Sequence, residues 1–183
     1  MINKTTTLRT AALLAVAAGL GACGNMKNAE VNPRTVAIVK LTSAAGGTPQ
    51  PNPQSTVQGV LEFSELRGIT SVTGTVTGLK PNAPHGFHVH EKGDCSTPDF
   101  SSAGGHFNPT NQPHGAHGSG AHHLGDMPQL MADASGTAQV SFNSQSLKLR
   151  GVNSIGGKSV IVRLDPEDVK APLVGNAGPR LAC

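Results

Sequence analysis

The chain has 183 residues, three cysteines, eight histidines, five Phe, no Trp or Tyr, and a net charge of +3 at pH 7. Lys4 and Arg9 fall in the first 22 residues, and setting them aside leaves +1, which excludes nucleic acid as a partner and gives no basic patch for a membrane surface. About 160 residues then remain, the size of one domain, with a core that must come from Val, Ile and Leu.

The amino terminus reads as a targeting segment. Lys4 and Arg9 make a basic start, and Ala11 to Leu20 is an apolar run of signal-peptide length, too short to span a bilayer. Leu20-Gly21-Ala22-Cys23 then resembles a bacterial lipobox, in which Cys23 becomes the lipidated first residue. Gly24 follows the cysteine and no Asp does, which resembles an outer-membrane address. The expected organisation is a signal peptide over 1–22, a polar tether over 23–34 and a folded domain over 35–183. The expected location is the periplasm or cell envelope, with a lipid anchor at Cys23 as the only membrane contact.

The folded part alternates between short strands and turns. Thr35 to Leu41 alternates and predicts a strand, and Ala44 to Pro53 is a Gly/Pro-rich turn. Val57 to Phe63 and Ile69 to Val76 alternate again. Lys80 to Pro84 predicts a turn, and Gly86 to Glu91 a strand. Lys92 to Met127 has no periodicity and is dense in Gly, Pro, Ser and His, so bound metal is the expected source of its order. Pro128 to Ala132 and Thr137 to Phe142 flank Asp133-Ala134-Ser135-Gly136, a hairpin signal. Ser159 to Arg163 is a further strand, and Leu164 to Ala182 reads as irregular. Short strands at these spacings predict an all-β Greek-key barrel or sandwich.

All eight histidines lie between His85 and His123. In His88-Val89-His90 the two imidazoles share one face of a strand, so both can address one ion. His106, His114 and His123 follow at spacings that leave room for loop closure, with Asp126 three residues after the last. Three imidazoles and one carboxylate make a four-coordinate zinc set, and imidazole suits both zinc and copper. The remaining three, His85, His117 and His122, are expected to be exposed or to support the ligands from behind.

Gly86-Phe87-His88-Val89-His90-Glu91, Gly93-Asp94-Cys95, Gly104-Gly105-His106-Phe107-Asn108-Pro109, His123-Leu124-Gly125-Asp126 and the ending Gly175 to Cys183 together resemble the copper–zinc superoxide dismutase family, over roughly Val36 to Cys183. The resemblance implies an eight-stranded Greek-key barrel. It implies copper on His88, His90 and His106, and zinc on His106, His114, His123 and Asp126. His106 would bridge the two metals. Arg180 would guide the anionic substrate, superoxide, to the copper. Glu167 or Asp168 would hold a copper and a zinc histidine from behind. Cys95 and Cys183, the two cysteines left in an exported chain, would form a disulfide tying the metal loop to the barrel. The implied reaction converts two superoxide and two protons to oxygen and hydrogen peroxide. No feature of the sequence points to an oligomeric state.

Two departures from the family pattern bear on that reading. Where the family has a fourth copper histidine, this chain has Arg163, whose guanidinium stays protonated and offers no lone pair. Pointing inward, it would weaken copper binding or stand in for the ion among three imidazoles. Pointing outward, it would leave a three-histidine copper site. The alternative to full dismutase activity is therefore a dismutase-like zinc- or copper-binding envelope protein with weak or no catalysis. The second departure is that the family continues past its cysteine with a last strand, which this sequence lacks.

Overall fold

Nine strands among the described residues carry the architecture. β1 (Thr35–Thr42), β2 (Gln58–Leu66), β3 (Ile69–Thr77) and β7 (Ala138–Ser144) form one antiparallel sheet in the order β1-β2-β3-β7. β4 (Pro84–His85) pairs with β6 (Leu130–Met131), and β5 (Phe87–Val89), β8 (Val160–Arg163) and β9 (Arg180–Ala182) form a second sheet in the order β5-β8-β9. The structure, a computed structural model, describes residues 34–43, 56–168, 170 and 177–183. The signal-peptide and lipobox readings, Cys23 included, lie outside the described residues, as do the Ala44 to Pro53 turn and Gly175-Asn176.

Alternation in β1, β2 and β3 turns Leu41, Leu61, Phe63, Val72 and Val76 to the interior. There they meet Phe87, Val89, Val160, Val162 and Leu181 of the second sheet. Burying one such side chain contributes about 1.5–3 kcal/mol, and this shared core holds the sheets face to face. The non-sequential pairings β3–β7 and β5–β8 give the antiparallel crossovers of an all-β Greek-key fold.

The second sheet is buried on both faces. Every residue of β5 is buried, as are the first three of β8. Phe87 and Val89 face the barrel core, so His88 between them faces the other way, beside its cross-strand partner Ile161. Ile161 packs with Phe100, Ala103 and Cys183 in a small separate cluster. The loop from Lys92 to Met127 therefore covers the outer face of β5 and β8.

The segment read as irregular, Leu164 to Ala182, ends in a strand. β9 pairs with β8, Ser43 bridges to Ala182, and Thr42 and Cys183 exchange main-chain hydrogen bonds of 3.0 and 3.1 Å. Three residues flanked by a proline carry too little alternation to signal a strand. The two neighbouring strands, which offer unpaired main-chain groups, decide it. β9 thus fills the position between β8 and the end of β1 up to the last residue of the chain.

Candidate metal centre

Cys95 and Cys183 form the disulfide, with Cα atoms 5.9 Å apart across a sequence separation of 88. It joins the loop to β9, next to Arg180. Closing a loop of this length is worth roughly 4–5 kcal/mol in the chain-entropy model. Cys183→Ser is expected to lower the free energy of unfolding in denaturant by about 2–4 kcal/mol and to speed protease cleavage near Cys95. A stability within about 0.5 kcal/mol of the parent would mean that the bridge adds no constraint.

The loop has more internal order than its sequence suggests. Metal ligands were expected to be its source of order, but residues 94–104 carry a hydrogen-bonded framework of their own. Ser96 N–H donates to Asp94 Oδ1 at 2.9 Å, Ser101 N–H to Asp99 Oδ1 at 3.0 Å and Ser102 N–H to Thr97 Oγ1 at 2.9 Å. A short 3-10 turn, Ser101–Ala103, follows, and Lys92 N–H closes the base on Ala103 O at 3.1 Å. Residues 108–123 have less of this, and two of their histidines, His114 and His123, converge on Asp126.

Gly104 lies between the framework and the centre. Its φ of +76° is a conformation that glycine adopts without strain, and an added Cβ would strike the Glu91 carboxylate. Its carbonyl accepts from His90 Nδ1 at 2.9 Å and from Arg180 Nη2 at 2.7 Å. Arg180 Nη1 also donates to Phe100 O. The structure thus ties Arg180 to the same loop carbonyl that orients His90. The double glycine before His106 was the only trace of this in the sequence.

Two groups of side chains could each hold a metal ion. His88, His90 and His106 bring one ligand atom apiece within 4.8 Å of one another, and so do His106, His114, His123 and Asp126. All are buried, and His106 belongs to both groups. Isolated bridges place them: His90 pairs with His106 and His88 with Asp126 across the loop.

The second group fits a cation better than it fits itself. His106 Nδ1 is 3.1 Å from Asp126 Oδ1 and 3.3 Å from His123 Nδ1. His114 Nδ1 lies 3.1 Å from Asp126 Oδ2 without hydrogen-bond geometry. Burial works to raise the Asp126 carboxyl, but the bond from His106 and the close approach of His114 outweigh it and hold the group well below the carboxylate range. Three imidazole nitrogens and an ionised oxygen thus share one space, which is a zinc donor set. Its outer hydrogen bonds are also made: His123 N–H donates to Asp126 Oδ2 at 2.9 Å and Gly115 N–H to the same oxygen at 3.3 Å.

The first group is drier. His88 Nδ1 and His90 Nε2 are buried with no hydrogen-bond partner. Burial lowers the His88 pKa to about 4 and that of His90 to about 2, so both rings are neutral and can offer lone pairs. Orphaned imidazole lone pairs in a dry site fit copper.

Glu167 connects the groups. Its carboxylate bonds His88 Nε2 and lies 2.6 Å from His114 Nε2. Burial would raise its pKa, but the close contact with His114 and the bond to His88 lower it to about 2. Asp168, the other candidate for this position, is exposed and accepts from Lys170 N–H at 3.0 Å, so it plays no part. His85 differs from expectation. It is fully buried, with Nδ1 bonded to Arg163 O at 2.8 Å, because β4 carries it inside against β8. His117 and His122 are half-buried in the loop.

Arg163 points inward. It stands two residues after Ile161, on the face that Ile161 shares with His88. A Cβ on Gly86 would lie 3.2 Å from both Arg163 Cγ and His88 Cε1, so the two side chains flank the same glycine. Arg163 Nε is buried without a hydrogen-bond partner. Burial, and then repulsion from Arg180, lower its pKa from the usual arginine value, against attraction from Glu167 and Asp165.

A Greek-key barrel with a histidine shared between two buried donor clusters defines a class of metal-dependent protein, and comparison with known proteins agrees. The family model described as copper/zinc superoxide dismutase (SODC) matches residues 57–183. A superoxide dismutase [Cu-Zn] of Onchocerca volvulus is 42% identical over 139 residues, covering 70% of this chain and 87% of its own. An extracellular superoxide dismutase [Cu-Zn] of the same organism is 40% identical over 138 residues, covering 69% of this chain and 68% of its own. A superoxide dismutase [Cu-Zn] of Paramecium bursaria Chlorella virus 1 is 39% identical over 133 residues, covering 69% of this chain and 71% of its own. A crystal structure of the clock protein EA4 superposes with a TM-score of 0.70 at 30% identity, covering 82% of this chain and 90% of that one. The chain belongs to the copper/zinc superoxide dismutase family, a family of oxidoreductases whose metals are copper and zinc.

Proposed function

We propose that this protein dismutates superoxide to oxygen and hydrogen peroxide in the cell envelope. His88, His90 and His106 hold copper, and His106, His114, His123 and Asp126 hold zinc. The observation that carries the reading is His106, a buried imidazole common to both donor clusters. Copper, when bound, supplies the one-electron exchange with superoxide, and zinc supplies a fixed charge beside it. His106, which would be shared by the two metals, is the imidazole placed to pass a solvent-derived proton to the reduced product. Arg180 draws the anion in, and its bonds to Phe100 O and Gly104 O keep the guanidinium from swinging away. Glu167 fixes the tilt of His88 and His114 together.

A second reading rests on Arg163. A permanent cation on the His88 face disfavours copper while leaving the zinc set untouched, giving a zinc-holding protein with weak catalysis. Measuring copper, zinc and superoxide-dismuting activity on one sample separates the two. Near-stoichiometric copper with activity supports the first, and stoichiometric zinc with little copper and little activity supports the second.

The envelope location rests on Leu20-Gly21-Ala22-Cys23 and on the basic start before it. Extracellular relatives and the disulfide are in keeping with export. Cys23→Ser is expected to move the protein from the membrane fraction to soluble or unprocessed forms. Wild-type protein found wholly in the soluble periplasm would reject the lipid anchor.

A further inference from the structure

The dismutase centre leaves His117 and His122 unused, and the loop turns them toward each other. Their ring centroids are 5.9 Å apart, with the planes at 70°. Each ring is anchored in the same way. His117 Nδ1 donates to Asp126 O at 2.8 Å, and His122 Nδ1 donates to Ser119 O at 2.9 Å. A neutral imidazole that donates through Nδ1 keeps its lone pair on Nε2. Nε2 of His122 is buried and has no hydrogen-bond partner. Fixing one ring nitrogen on a carbonyl is how proteins prepare the other to bind a metal.

The ring spacing suits one shared ion. Within the two donor clusters, centroid separations run from 3.9 Å for the stacked His88–His106 pair to 6.3 Å for His88–His90. The tilted and edge-on pairs alone span 5.1 to 6.3 Å, and the His117–His122 distance falls within that interval. An open cleft of about 520 Å³ lies over the pair, lined also by Asn143, Gln145 and Ser146. These residues offer neutral oxygens, and no carboxylate lines the cleft. Hard cations such as calcium gain little there, whereas two imidazoles select an ion of the zinc class.

We propose that His117 and His122 form a third metal site, which binds zinc(II) weakly at the rim of the main centre. Two protein nitrogens leave the remaining positions to water and amide oxygen, so the ion exchanges readily. His122 adjoins His123 in sequence, and His117 is bonded to the main chain of Asp126. An ion collected there sits beside the zinc donor set and raises the local supply of zinc to it. The proposal does not depend on whether His88 and His90 hold copper.

The test is calorimetric titration of the metal-loaded full chain with zinc(II). One further zinc per chain is expected, binding more weakly than the first. His117→Gln and His122→Gln should each weaken it at least tenfold, with the metal retained after desalting unchanged. In nitrogen-15 NMR of the unsubstituted protein, Nε2 of both histidines should shift as zinc is added. This second readout uses the unsubstituted protein, so it stands even if losing the His117–Phe142 ring contact, 5.4 Å between centroids, disturbs the loop of a variant. No additional zinc, an additional zinc that survives the double substitution, or unshifted Nε2 signals would overturn the proposal.

Discussion

Arg163→His is expected to raise copper(II) retention and the dismutation rate together, leaving zinc content unchanged. Copper(II) prefers four good donors in a tetragonal field, and this site offers three imidazoles. The side chain that faces them is a cation rather than a donor. By Coulomb's law a unit positive charge about 5 Å from a divalent ion costs on the order of 7 kcal/mol at an effective dielectric of about 20. Swinging of the guanidinium and salt screening reduce that cost, so a gain of about 100-fold or more in copper(II) affinity is a conservative expectation. Competition against a copper chelator measures the affinity, and superoxide-dismuting activity per chain measures the consequence. A wild type that already holds one copper(II) per chain with full activity, and gains nothing from the change, would mean that Arg163 does not oppose the metal.

His123→Ala should remove zinc and open part of the loop. His123 contributes both its ring and its main-chain N–H to the group around Asp126. With the ring lost, the Asp126 carboxylate remains buried and ionised with one fewer partner. Zinc affinity is expected to fall at least about 100-fold, more than for loss of a supporting residue alone. Limited proteolysis should then cut within residues 108–123, while 94–104 stay protected by their own hydrogen bonds, the disulfide and the Phe100–Ile161 packing. Zinc-free protein with an uncut 108–123 segment would show that the metal set does not order the loop. Cutting throughout 92–127 would show that the 94–104 framework depends on zinc.

Local patterns in the sequence anticipated much of this. Alternation marked β1, β2, β3 and β7 to within a few residues, because one buried face imposes a period of two on each strand, whereas β8, buried on both faces, reads as a continuous apolar run. The spacing of the histidines pointed to the His88–His90 pair and to the His106, His114, His123 and Asp126 set, and the family resemblance placed His106 in both; the structure groups the same residues. The Cys95–Cys183 pairing followed from the family resemblance and from there being two such cysteines, and the structure contains it.

Other features depend on which segments meet in space. β9 is a strand only because β8 and the end of β1 present unpaired main-chain groups to it. Glu167 rather than Asp168 reaches the centre because one of two adjacent side chains faces His88 and His114, and an acidic run cannot indicate which. His85 is interior because β4 lies against β8. The direction of Arg163 was left open by its own sequence neighbourhood, since Val160 to Arg163 reads the same whichever face the loop covers. Strand alternation by itself determined that Arg163 shares a face with Ile161. Only the tertiary structure, which sets His88 on β5, Arg180 on β9 and Glu167 beyond β8 near the guanidinium and lays the loop over the same face, decided that the face is the metal centre and not solvent.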